Sequence, residues 1–335
     1  MPLILDRKQV LQVYSEAASR RWVLPTFNAE NLTTIEAILQ ATKEYGERIG
    51  VQDAPIIVGI TNNYKSRPQS VYYTHTRKWQ VGLRLFMNDL HVLTAAESPY
   101  AKLKVMLHLD HIQWDHDAEL LQWDMRQFSS IMYDASTLPF DENIRRTREF
   151  VQRHGDDILI EGACDEIAEA TGKDRMALTT PEMAERYVHE TGVDIIVANL
   201  GTEHRASAAN LKYHGDLAKD ISRRVGLRLC LHGTSSVPAE QLRALFNDGI
   251  RKVNIWTALE RDSSVLLFQK MLENASGIVG PDKAKELAAQ KLLGPAADCD
   301  SAASIDFYTT AFRQEIVFEA MKEIVRRYLE IFYDG

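Results

Sequence analysis

Eight short, apolar, β-rich runs recur along the 335-residue chain with helical patterns between them, and this alternation limits the fold more than any other feature. The runs are VLPTFN (23–28), APIIVGIT (54–61), KVMLHLDH (104–111), SSIMYDAS (129–136), DILIEGAC (157–164), VDIIVANL (193–200), LRLCLHG (227–233) and IRKVNIWT (250–257). Strands this apolar are covered on both faces, as parallel strands are. The stretches between them, such as 141–155 and 238–249, carry helical patterns and imply right-handed βα crossovers. Eight βα units point to a closed TIM (β/α)8 barrel. A doubly wound open sheet is the competing arrangement, but the Gly-rich turn that usually follows its first strand is replaced here by AENLTTIE.

The organisation expected is one barrel domain over 1–335, with an enlarged second crossover at 62–98 and a C-terminal helical extension over 275–335. Ile316, Val317, Met321, Ile324, Tyr328, Ile331 and Phe332 recur at helical spacing near the end, the pattern of a helix that packs on the barrel or on a second copy. Residues 165–180 are charged and Thr-rich and read as a lid. The net charge of -8 leaves no basic footprint for nucleic acid or an anionic membrane surface, so a small-molecule partner is expected. No apolar stretch reaches the roughly 18 residues of a membrane span, and the N-terminus lacks a secretory pattern. Cys164, Cys230 and Cys299 are odd in number and lack CxxC spacing, which suits reduced thiols in the cytoplasm.

Barrel enzymes place their chemistry at the C-terminal ends of the strands. Strand three ends in Asp110 and His111, strand six runs into GTEHR with His204, strand seven ends in His232, and strand eight carries Asn254. Three histidines at one rim can hold one divalent cation, most simply Zn²⁺, and the carboxylate beside the first of them is placed for proton transfer. Strict alternation puts Asp110 and His111 on opposite faces, so both reach one site only if the backbone turns there. His108 shares a face with Asp110 and reads as a hydrogen-bonded core residue; His116, His154, His189 and His214 read as solvated.

Taken together, FNAENLTTIEAILQAT, HLDH, SSIMYDASTLPFDENIRRTREFV, VDIIVANLGTEHR, LHGTSS, GIRKVNIWT and the closing MKEIVRRYLEIF resemble, in this order and over almost the full length, the class II, metal-dependent fructose-bisphosphate aldolases. The resemblance implies a TIM barrel, with His111, His204 and His232 as ligands of Zn²⁺ or another divalent metal and a monovalent cation as a further candidate. It implies Asp110 as the acid/base at the cleaved bond, and substrate contacts from Asn28, Thr61, Gly233, Ser235, Asn254 and Thr257. The family's loop glutamate corresponds to IEGACDEIAEATG, which leaves Asp165, Glu166 and Glu169 as candidates for the second catalytic acid.

Departures from the family pattern fall where it grips phosphate. HG after the second metal histidine becomes His204-Arg205, GGSG after the third becomes Gly233-Thr234-Ser235-Ser236, and NIDT becomes Asn254-Ile255-Trp256-Thr257. Glycine lets backbone amides approach an anion, so these changes add side chains to that cradle. Arg205 is either a fork for phosphate or carboxylate or a surface residue. The expected activity is reversible retro-aldol cleavage, through a metal-stabilised enediolate, of a ketose phosphate, a sugar acid or a related derivative other than fructose 1,6-bisphosphate, by a homodimer or larger homo-oligomer. The alternatives are a metal-dependent epimerase or isomerase on the same barrel and a non-catalytic aldolase-like subunit.

Overall fold

The eight apolar runs become eight parallel strands among the residues described in a computed structural model, which are 3–165, 178–202 and 213–333. They are β1 (Leu24–Asn28), β2 (Pro55–Thr61), β3 (Lys104–Gln113), β4 (Ser130–Asp134), β5 (Leu159–Ala163), β6 (Ile195–Val197), β7 (Leu229–Leu231) and β8 (Ile250–Ile255). Each pairs with the next, and β8 pairs with β1, so the sheet closes into a barrel with no free edge. Every residue of β1, β2, β4, β5 and β8 is buried, as strands must be when helices cover one side and the barrel interior the other. This is the TIM barrel architecture.

The helices are α1 (Arg7–Ser19), α2 (Leu32–Arg48), α3 (Gln69–Tyr72), α4 (Trp79–Leu93), α5 (Phe140–His154), α6 (Pro181–Thr191), α7 (Gly215–Val225), α8 (Ala239–Leu242), α9 (Thr257–Glu273), α10 (Ala275–Val279), α11 (Pro281–Ala289), α12 (Ile305–Tyr308) and α13 (Thr310–Tyr333). Local chemistry sets several ends. Asn31 caps α2 by accepting from Thr34 N, and Thr180 caps α6 just before Pro181, while Gly192 ends that helix in the left-handed region that favours glycine. No helix among the described residues is long and apolar enough to cross a membrane.

Two expectations need correction. The helical pattern at 238–249 forms a helix only over Ala239–Leu242; beyond it the chain breaks into turns that end at Gly249, φ +97°, with Arg251 donating to Phe246 O in place of a further helical bond. Strand three does not end at 111 but runs to Gln113, because its register against β4 slips between Leu109 and Ile112. His111 sits in that slip with φ +48°.

The end of the chain closes the barrel's outer layer. α13 buries Met321, Ile324, Val325, Leu329 and Phe332, packing against α2 and α9. The Tyr333 hydroxyl donates to Pro55 O at 2.6 Å, its ring stacks on Trp22 at 4.4 Å, and Val23 N donates to Phe332 O at 3.2 Å. The helix therefore acts as a packing element of the barrel wall.

Gly59 ties the wall to the rim. A Cβ there would press into Asn28 Oδ1 and lie 2.9 Å from Thr26 Cγ2, both on the adjoining β1. Gly59→Ala is expected to cost about 1–3 kcal/mol through overpacking, read as a lower urea midpoint at unchanged slope. A midpoint equal to the parent's would mean that Asn28 yields freely.

Candidate active site

The register slip in β3 decides who reaches the pocket. One extra residue and a left-handed turn at His111 bring Asp110 and His111, which alternation would send to opposite faces, into one cavity of about 560 Å³ at the C-terminal rim. His232 arrives from the end of β7, Asn254 from β8, Asn28 from β1 and Thr61 from β2, and Gly233, Ser235 and Thr257 line the same cavity. His204, Arg205, Glu166 and Glu169 lie outside the described residues. Asp165 is described, and its carboxylate accepts from the Thr179 hydroxyl at 2.5 Å.

The two histidines face each other. His111 Nε2 lies 3.2 Å from His232 Nδ1. Their outer nitrogens are taken by carboxylates: His111 Nδ1 meets Asp134 Oδ2 at 3.0 Å, and His232 Nε2 meets Glu161 Oε1 at 3.0 Å. If each outer nitrogen donates to its carboxylate, the inner nitrogens present lone pairs to one another, an arrangement that needs a shared proton or a cation. Two nitrogens 3.2 Å apart subtend a near-tetrahedral angle of about 100° at an ion with the bond lengths usual for zinc and imidazole. An oxygen of Asp110 lies with these nitrogens inside a sphere of contacts no wider than 4.8 Å. The donor set therefore fits a divalent cation.

Titration directions agree with a paired site. Burial works against the charged form of His111, but Asp110 and Asp134 outweigh it and raise its pKa; burial prevails at His232 and lowers its pKa. Burial alone would raise the Asp110 carboxyl, yet His111, His232, His108 and Lys252 hold it well below the usual carboxylate range. Asn28 Nδ2 donates to Asp110 Oδ2 at 2.7 Å and Asn254 Nδ2 to Asp110 Oδ1 at 2.9 Å, so both expected substrate contacts also fix the aspartate.

Beneath the rim lies a pair that the motif reading missed. Glu161 and Lys252 are fully buried inside the barrel, with Lys252 Nζ 2.8 Å from Glu161 Oε2. The ammonium also donates to Asn254 Oδ1 and stands 3.4 Å from His108 Nε2 and 3.7 Å from Cys230 Sγ. His108 completes its bonding with Ser130 Oγ at 2.9 Å, and burial, with Lys252 beside it, pushes its pKa down to about 3. Glu161, Cys230 and His232 also have metal-ligand spacing, but Lys252 already supplies the positive charge there. The signal was visible as Glu161 in the middle of DILIEGAC and Lys252 inside IRKVNIWT, two charged residues within strands that are buried along their whole length.

The loop after β2 builds the outer wall. Tyr64 stacks on the His111 ring with centroids 4.5 Å apart. Gln69 Oε1 accepts from Thr61 N at 2.8 Å and from Asn28 Nδ2 at 3.2 Å. The Thr61 hydroxyl, on the pocket wall where a substrate contact is expected, donates to Arg67 O and accepts from Gln69 N, so it also organises the loop. Trp256 lines the pocket, and its buried Nε1 has no hydrogen bond among the described residues. Next to it, Glu260 has a buried, unbonded Oε1, and burial together with Glu30 pushes its pKa up to about 7 against the pull of Arg67.

The chain matches the family described as fructose-bisphosphate aldolase class-II over residues 8–334. Solved structures share the fold at low identity. The fructose-bisphosphate aldolase of Campylobacter jejuni has TM-score 0.76 and 18% identity, with 98% of this chain and 95% of that chain covered. The YdjI aldolase of Escherichia coli K12 has TM-score 0.65 and 18% identity, covering 96% and 95%. A putative fructose-1,6-bisphosphate aldolase from Coccidioides immitis has TM-score 0.65 and 21% identity, covering 98% and 96%.

Two measurements probe this geometry. Replacing the buried pair together, Glu161→Gln with Lys252→Met, removes the anchor of His232 without leaving a lone charge, and Zn²⁺ affinity by equilibrium dialysis is expected to fall about 10- to 100-fold with the circular dichroism spectrum retained. Unchanged affinity would show that the pair does not position His232. The second concerns Glu260, whose folded pKa of about 7 exceeds its ordinary 4.5. Folding favours its protonated form, so this stabilisation is whole below about pH 4.5 and is lost as pH rises through about 7. Glu260→Gln should match the parent in urea near pH 4.5 and exceed it by roughly 1–3 kcal/mol at pH 8; equal midpoints at both pH values would refute the assignment.

Proposed function

The chain belongs to the class II fructose-bisphosphate aldolase family, and from that premise we propose that it is a divalent-metal-dependent aldolase, with zinc as the first candidate, acting on a ketose phosphate or related sugar derivative other than fructose 1,6-bisphosphate. The observation that carries the reading is the facing pair His111 Nε2 and His232 Nδ1 at 3.2 Å, each anchored from behind by a carboxylate, with Asp110 beside them. His204 is the third ligand that the GTEHR motif supplies to this proposal.

The bound cation would polarise the substrate carbonyl and offset the negative charge left on that fragment after carbon–carbon cleavage. Asp110, held ionised by its surroundings and aimed by Asn28 and Asn254, takes the proton from the hydroxyl on the carbon that becomes the aldehyde. The bonding pair stays on the carbonyl fragment as an enediolate, which then gains a carbon-bound proton from an acid on the loop after β5, with Glu166 and Glu169 as the candidates. In condensation the same proton returns from Asp110. Tyr64, stacked over His111, shields that side of the site from water.

The substrate half of the proposal rests on the altered anion grip. Thr234 and Ser236 occupy the positions where the family has further glycines, and the Trp256 ring stands in the wall where it has an aspartate. α9 begins at Thr257, on the pocket, and its N-cap residue Trp256 makes no side-chain capping bond among the described residues, which suits an anionic handle there. Self-association belongs to the same reading, because Val265 and Phe268 on α9 and Leu292 and Ile305 beyond it are exposed apolar side chains.

A panel of ketose phosphates and sugar acids, assayed with Zn²⁺ for released aldehyde, tests the reading. Cleavage of at least one member is expected, with kcat reduced about 10²- to 10⁴-fold in Asp110→Asn at unchanged metal content. Efficient turnover of fructose 1,6-bisphosphate would overturn the substrate claim, and absence of aldehyde from every member by the metal-loaded protein would overturn the aldolase claim.

A further inference from the structure

Arg67 is the only lysine or arginine among the described residues that line the pocket. It is held from three sides. Glu30, itself nearly buried, accepts from Arg67 Nε at 2.8 Å and from Nη2, a two-point clamp on one edge of the guanidinium. The Arg67 Cζ lies 4.4 Å from the Tyr72 ring centroid and 5.9 Å from that of Trp256, so aromatic faces fix its plane. Its Nη1 has no hydrogen bond within the described residues, and the side chain keeps 37% of its exposure.

A guanidinium that served only to neutralise Glu30 would need neither the aromatic faces nor a place on the cavity wall. Clamping one edge leaves the other pre-set for a ligand, which lowers the ordering cost of binding. We propose that Arg67 determines substrate specificity by receiving on its Nη1 edge one anionic group, phosphate or carboxylate, at the end of the substrate that lies against Trp256. The identification of that ligand as substrate rests on the aldolase reading; the anion receptor itself requires no turnover.

Titration calorimetry of the metal-loaded full chain with inorganic phosphate, and separately with glycolate, tests this. Two variants keep the outcome interpretable: Arg67→Lys retains the charge that Glu30 needs, and Arg67→Met with Glu30→Gln does not strand Glu30 as a charge without its partner. Binding of at least one anion is expected to weaken about 10- to 100-fold in the double variant and by less in Arg67→Lys, with zinc content and circular dichroism unchanged. The anion with the larger loss identifies the group. No measurable binding of either anion to the parent, or dissociation constants within twofold of the parent in both variants, would overturn the proposal. If the parent turns over a panel substrate, KM for it should rise in Arg67→Lys with kcat nearly unchanged. Weakened anion binding in a protein that cleaves nothing would sink the aldolase reading and leave the receptor standing; cleavage with an unaltered KM would do the reverse.

Discussion

Two opposite charges sealed inside the barrel, Glu161 and Lys252, set the terms for the rest of the molecule. Ions removed from water cost several kcal/mol each unless they are paired and hydrogen-bonded. Here the matching partners are the site residues. Glu161 holds His232, Lys252 holds Asn254, and Asn254 holds Asp110, so the chain of contacts runs from the middle of the barrel to its rim without a break. Burial raises the pKa of a lone carboxyl and lowers that of a lone amine; paired, Glu161 is kept well below and Lys252 above its ordinary value.

Backbone geometry supplies the second condition. Because β3 slips by one position at His111, two consecutive side chains serve one cavity, which a regular strand cannot do. The same strand places His108 two residues earlier against Lys252 and Ser130, in the interior network below the rim. One short stretch thus feeds three layers: the interior charge network, the Asp110 carboxylate and the inner-facing imidazole of His111.

Membership of the class II aldolase family explains why these parts occur together. The inner half of the site, with the histidine pair and Asp110, follows the family motifs. The outer half comes from Tyr64, Arg67 and Gln69 on the loop after β2 and from Trp256 after β8. Chemistry held on short strand ends and recognition held on a long loop can change independently.

Much of this was legible in the residues. Eight apolar runs, each too short for a helix and separated by amphipathic stretches, pointed to the parallel barrel, because buried parallel strands read as continuous apolar runs and no Gly-rich turn of an open doubly wound sheet follows the first. HLDH and LHG announced costly side chains at strand ends. The partnership of Glu161 with Lys252 was not legible, since 91 positions separate them (252 minus 161) and only barrel closure brings β5 and β8 to the same interior. Nor was the role of Arg67, which depends on Glu30 and Trp256 arriving from β1 and β8. The sequence by itself determined the architecture and the residue types at its rim, through periodicity and local cost; only the tertiary structure decided which of them meet, because a β-bulge and the closure of a barrel are set by contacts between segments far apart in the chain.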